Sequence, residues 1–262
     1  MNITINKIHI LLCFAALIGC SMAVSCSQDE LGIDTGTPLP AGKYPLEFTA
    51  SVDGMTTRAT SGKDAWTIND EIGVRIGNGE TGRYKITKTN GTSLEAVEPV
   101  YWLSDARATV TGWYPYEEQT NVSITDQSGL SDFKSIDFLT ASDDYKFDDK
   151  VSLTFKHQMA KVRCVLKSAD TDDISSKEVS QATVTFNGCT EASFAEGVLT
   201  GSAFGEIVPV KSNYTHEALL VPADMTGKEL FRVNINVGGY DKSFSYTPSD
   251  SYAKLKPGTS YV

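Results

Sequence analysis

The residues able to do chemistry are few, and their spacing is poor for catalysis. Beyond residue 25 the chain has two histidines, His157 and His216. It has no H-E-x-x-H, C-x-x-C or G-x-S-x-G, so neither a zinc helix nor a nucleophile elbow is present in local sequence. His157 stands where a strand pattern breaks, and its ring is expected to satisfy a carbonyl there. Asp143-Asp144 with Asp148-Asp149, and Asp170 with Asp172-Asp173, lack the glycine-punctuated spacing that gathers oxygens around calcium. Solvated loops are expected for both groups. Glu117-Glu118 are chain neighbours, and such neighbours rarely converge across a sugar. The expectation is no catalytic residue, no metal and no cofactor.

Cysteine placement says more. Of five cysteines, Cys13, Cys20 and Cys26 fall in the first 26 residues. Residues 1–25 read as an export signal: a polar start ending at Lys7, then an apolar run over 8–17 that is interrupted too soon for a comfortable membrane span. Leu17-Ile18-Gly19-Cys20 and Ala23-Val24-Ser25-Cys26 both fit the small-residue-then-cysteine pattern of a bacterial lipoprotein signal. Lipidation there would anchor the chain to the outer membrane, each buried methylene contributing about 0.8 kcal/mol. The other two, Cys164 and Cys189, read either as free thiols or as a disulfide, which export permits.

The elements that must position these residues are strands. The chain has 262 residues, 40% hydrophobic and 21% charged, enough for one large core or two small ones. A net charge of −10 without a basic stripe argues against nucleic acid. The longest β-like run is 151–167. Val151, Leu153 and Phe155 alternate with Ser152, Thr154 and Lys156, the period of a half-buried strand. The parity then flips, with Ala160, Val162, Cys164 and Leu166 apolar. One strand cannot keep a face in the core across that change. A bulge or a crossing between the two sheets of a sandwich is therefore expected at His157-Gln158-Met159.

Residues 26–44 read as a glycine- and proline-punctuated tether. A clean first strand follows over 46–52, with Leu46, Phe48, Ala50 and Val52 facing in. Further strands are expected at 72–76, 83–87, 100–103 and 108–114, with loop over 117–135. After 168 they are expected at 182–186, 193–199, 206–210, 218–221, 231–237 and 242–246. Regular short strands with Gly/Asn turns argue for an all-β antiparallel sandwich with little helix. The best boundary lies near 168, giving domains over 45–168 and 169–262. Trp113 and Tyr116 read as core aromatics or as a stacking platform for a host or dietary glycan.

Several short motifs occur together. Phe155, His157, Met159, Ala160, Lys161 and Val162 form F-x-H-x-M-A-K-V. Trp66, Asn69, Asp70, Ile72, Gly73 and Val74 approach W-x-x-G-D-x-I-G-V, with Asn69 in place of glycine. Tyr114-Pro115-Tyr116, Asp137-Phe138-Leu139-Thr140-Ala141 and Ala218-Leu219-Leu220-Val221-Pro222 follow in order. Together they resemble the fimbrillin family of type V pilins and fimbrial subunits. The resemblance implies two transthyretin-like sandwich domains in tandem and a cell-surface location. It favours Cys26 as the lipidated residue, with Cys20 as the alternative, because Ser27-Gln28-Asp29-Glu30 resembles a surface-export tag. It also implies a further strand pair after Tyr261, so either the gene model is cut short or a last strand is lacking.

Arg58 carries the functional expectation. It lies in a small polar loop directly after the first strand, where a protease could reach it. Cleavage between Arg58 and Ala59 would cut the covalent link to 46–52. The vacated groove would then invite a strand from the next subunit. The resemblance implies this route: lipoprotein export, Arg-specific removal of the first strand, then donor-strand exchange with other fimbrial subunits. A non-polymerising glycan-binding lipoprotein and an uncleaved fimbrial anchor are the alternatives.

Overall fold

The computed structural model describes residues 36–54, 62–90, 93–168, 174–249 and 252–262. The first strands in chain order are β1 (Phe48–Val52), β2 (Glu71–Ile76), β3 (Gly82–Ile86), β4 (Leu94–Glu98), β5 (Ala108–Tyr114), β6 (Gln119–Ser123), β7 (Leu139–Tyr145) and β8 (Val151–His157). All but β6 form one sheet in the order β1-β8-β7-β5-β2-β3-β4. Its core holds Leu46, Phe48, Trp66, Ile72, Tyr84, Trp102, Leu153 and Phe155.

The chain continues with β9 (Ala160–Val165), a six-residue helix α1 (Ser176–Gln181), β10 (Thr183–Ala195), β11 (Val198–Ile207), β12 (Val210–Ser212), β13 (Thr215–Leu220), β14 (Phe231–Val237), β15 (Tyr240–Tyr246) and β16 (Ser260–Tyr261). One sheet runs β11-β10-β14-β15, with β6 added to β10, and another runs β12-β13-β9-β16. A second core gathers Met159, Val162, Phe186, Phe194, Ile207 and Leu219. Ile124, Phe133, Ile136 and Phe138 join it, so residues on both sides of 168 build this core. The fold is all-β. Among the described residues no helix is long and apolar enough to cross a membrane.

The expected crossing is found. β8 buries Val151, Leu153, Phe155 and His157 and exposes Ser152, Thr154 and Lys156. After Gln158 the chain enters a different sheet as β9. The corner's backbone is satisfied from outside the ladders, as buried peptide groups must be. Gln158 N–H donates to Phe138 O at 2.8 Å, and Gly258 N–H donates to Met159 O at 3.1 Å.

Other expectations are corrected. The sheets are not purely antiparallel, because β1 pairs with β8, and β16 with β9, in parallel. Asn187-Gly188, a pair that favours turns, lies inside β10, a 13-residue strand, because its ladder with β11 and the bond from Asn187 N–H to Leu230 O override the local preference. The strand expected over 193–199 is a hairpin, turning at Glu196 and Gly197 with φ of 47° and 82°. β6 lies within the expected loop 117–135. Over the expected strand 100–103, Tyr101 forms an isolated bridge to Pro45 in place of a ladder. Residues 36–44 are no free tether: Leu39 N–H donates to Leu103 O at 2.8 Å, and Trp102 N–H to Tyr44 O at 2.9 Å. Asn69 does take the positive φ its motif requires, at 77°.

Candidate functional site

The first strand and its seat form the candidate site. Among the described residues β1 pairs only with β8, as an edge strand of its sheet. Phe48 and Ala50 are buried, as is Leu46 just before the strand, while Val52 is half-buried. Phe48 packs edge-on against Tyr84, with ring centroids 4.9 Å apart. Trp66 packs edge-on against Phe155 at 5.1 Å, and its indole N–H donates to Ala50 O at 3.0 Å. Tyr84 hydroxyl donates to Leu46 O at 3.1 Å and accepts from Val100 N–H at 3.2 Å. Burial, set against the Val100 hydrogen bond, leaves the Tyr84 hydroxyl harder to ionise than usual. On the outer face Thr49 donates to Ser152 at 3.2 Å. β1 ends where Asp53 N–H donates to Phe155 O at 2.8 Å.

Arg58 and Ala59 lie outside the described residues, as do Cys20, Cys26, Asp170, Asp172 and Asp173. The chain from residue 62 onward is held differently from β1. Lys63 is buried. Its backbone N–H donates to Asp137 Oδ2 at 2.8 Å, and its ammonium lies 2.6 Å from Asp70 Oδ2 and 5.0 Å from the centre of the Tyr114 ring. His157 Nδ1 donates to the same Asp137 Oδ2 at 2.8 Å. His157 Nε2 is 3.6 Å from Asp64 Oδ1, too far for a hydrogen bond. Burial alone would lower the His157 pKa, but the Asp137 hydrogen bond and the charges of Asp137, Asp64 and Asp53 outweigh it and raise the pKa. The expected carbonyl partner is thus replaced by a carboxylate.

The remaining chemical residues do not converge. His216 is buried on β13, and burial, then Lys211, pushes its pKa down to about 4. Among the described residues no three His, Cys, Asp or Glu side chains gather around a point that could hold a metal ion. Cys164 and Cys189 are both free thiols, Cys164 buried and Cys189 half-buried.

Of the two readings of the aromatics Trp113 and Tyr116, Trp113 takes the core one. Trp113 is only 2% exposed and lies over Gly73, its cross-strand partner. Tyr116 is half-buried, with the Arg83 guanidinium 5.4 Å from its ring centre and its hydroxyl 3.4 Å from Glu98 Oε2. Gly73 explains its motif position, since a Cβ there would collide with the Trp113 indole. Gly73→Ala is therefore expected to cost about 1–3 kcal/mol by overpacking, read from urea denaturation midpoints. An unchanged midpoint would show that the indole has room to move.

A sequence profile described as fimbrillin-like matches residues 57–262. The chain belongs to the fimbrillin-like family. Two solved structures share its fold. One is a candidate cell adhesion protein from Bacteroides uniformis, 22% identical, with a TM-score of 0.58 over 82% of this chain and 91% of that one. The other, from Bacteroides ovatus, also a candidate cell adhesion protein, is 17% identical with a TM-score of 0.55 over 82% and 89% of the two chains. No curated protein sequence matches this fimbrillin-like chain. Membership places the chain among fimbrillin-like proteins and implies a cell-surface location, while the two solved structures show the fold alone.

Proposed function

We propose that this chain is a fimbrial subunit or adhesin built for strand exchange. It is exported as a lipoprotein anchored in the outer membrane through Cys26, or Cys20 as the alternative. An Arg-specific protease cuts between Arg58 and Ala59, residues 46–52 leave, and a strand of another fimbrial subunit takes their place. The observation that carries this reading is the asymmetry across 55–61. Upstream lies an edge strand whose ladder, among the described residues, runs with β8 alone. Downstream, Lys63 is tied to Asp137 and Asp70 in the body of the fold. A cut between them separates a removable segment from a fixed one. The seat left behind has pockets for Leu46 and Phe48, each worth roughly 1.5–3 kcal/mol to an incoming side chain. Its open edge supplies the ladder bonds of β-augmentation.

N-terminal sequencing and intact mass of the protein from washed native cells test this. A chain beginning at Ala59 without lipid is expected. A lipidated chain that keeps 46–52 would overturn strand exchange and leave an uncleaved anchor or a glycan-binding lipoprotein.

A further inference from the structure

β15 is the last strand of its sheet, and all seven of its residues are exposed. Its pairing with β14 sets Tyr240 opposite Val237, Lys242 opposite Ile235, Phe244 opposite Val233 and Tyr246 opposite Phe231. Directly opposed residues share a face. Ile235 and Val237 are buried there beneath Val179 and Ala182 of and just after α1. The β15 side chains thus lie on the core-facing side of the sheet but past the rim of what covers it. Tyr240, Phe244 and Tyr246 are 77%, 53% and 40% exposed. An aromatic edge of this length is a pairing surface unless something blunts it.

The backbone sets which groups are open. Gly238 and Gly239 form the two-residue turn, with φ of 58° and 88°, as a hairpin of this kind requires. Such a turn makes Val237 and Tyr240 a hydrogen-bonded pair. By alternation Lys242, Phe244 and Tyr246 also bond to β14. Asp241, Ser243 and Ser245 therefore turn their N–H and C=O groups to the free edge.

We propose that this edge pairs antiparallel with β15 of a second copy, about a two-fold axis at Ser243. Full overlap of the seven-residue strand, together with its charge pattern, favours that partner and register. Centred on Ser243, Tyr240 meets Tyr246 of the second copy and Lys242 meets Phe244. Asp241 meets Ser245 on the other face. Each lysine then lies beside an aromatic ring, a cation–π arrangement, and no like charges oppose. A register centred on Lys242 opposes two lysines, and one centred on Asp241 opposes two aspartates. Lys242, which would deter an arbitrary strand, has a place in this one. The contact is isologous, with the same patch on both copies. It joins two β11-β10-β14-β15 sheets through about six inter-chain hydrogen bonds, from three outward-facing residues on each strand. It is independent of the β1 seat and of strand exchange.

Sedimentation velocity of the purified protein is expected to show a concentration-dependent dimer. Ser243→Pro removes an outward N–H without touching the β14 ladder and is expected to weaken the dimer by about tenfold or more. Because proline also strains the strand, Ser243→Cys gives a second reading. Paired Cα atoms about 5.5 Å apart are within disulfide reach, so mild oxidation should bridge two copies. Asp241→Cys, facing Ser245, should stay unbridged. A protein that stays monomeric at all concentrations, or a dimer that survives Ser243→Pro and leaves Ser243→Cys unbridged, overturns the proposal.

Discussion

Asp137→Ala is expected to destabilise the protein by about 3–5 kcal/mol, the cost of removing one partner of a buried charged pair. The Asp137 side chain is fully buried, and its Oδ2 accepts from both His157 Nδ1 and Lys63 N–H. Removing it strands an imidazole whose side chain is 2% exposed and frees the chain that follows residue 61. The pH dependence has a definite sign. The His157 pKa is raised in the fold. Its contribution is therefore fully present below the unfolded value of about 6.5 and is lost as pH rises through the folded pKa. His216 acts oppositely: pushed down to about 4, it contributes above the unfolded value and costs stability as pH falls toward 4. Asp137 itself, Asp64, Asp53, Lys63, Lys156 and Lys161 are the other charged groups around His157. Urea denaturation at about pH 6 and about pH 9 should show Asp137→Ala losing most at the lower pH, with a flatter alkaline slope than the parent. Equal midpoints for variant and parent would remove the pair from any part in holding the fold.

The strand alternation and the sheet crossing were legible because each is set by which face is wet. Phe155, His157 and Ala160 state the parity flip directly. β5 and β14 could be read to their end residues for the same reason. What could not be read depends on distant partners. Nothing local shows that β1 runs parallel to β8, since parallel pairing is fixed by the path of the chain between them. β4 and β6 are polar edge segments, with exposed Glu95 and Asn121, and they are strands only because β3 and β10 offer ladders. The Asn187-Gly188 signal is strong in isolation and loses to neighbours on either side. The helix α1 was missed: Ser175 and Glu178 form a capping box, but six residues are too few to carry a helical period. At the candidate site, the inward face of 46–52 was readable by alternation. The Asp137, His157 and Lys63 cluster was not, because its members are far apart in sequence and only the fold brings them together.

The second large effect is expected at Phe48. Once the chain is cut within 55–61, β1 is held by its ladder with β8, by Trp66 and Tyr84, by its own side chains and by the backbone bonds of 37–46 to 100–105. Phe48 contributes most, because its ring is buried edge-on against Tyr84, and truncation of a buried phenylalanine costs about 3–5 kcal/mol. Even the lower figure corresponds to roughly a hundredfold change in an equilibrium. A protein carrying an engineered protease site between residues 55 and 61 makes this measurable. After cutting, Phe48→Ala is expected to release the first strand about a hundredfold more readily than the parent, and to capture a labelled 46–52 peptide correspondingly faster. Thr49→Ala, which removes only an exposed hydroxyl contact with Ser152, should change release less than tenfold. Intact mass after gel filtration reads the loss, and fluorescence anisotropy reads the capture. If the cut Phe48→Ala protein retains its strand as firmly as the parent, the ladder alone holds β1, and the pocket under Phe48 has no part in choosing what replaces it.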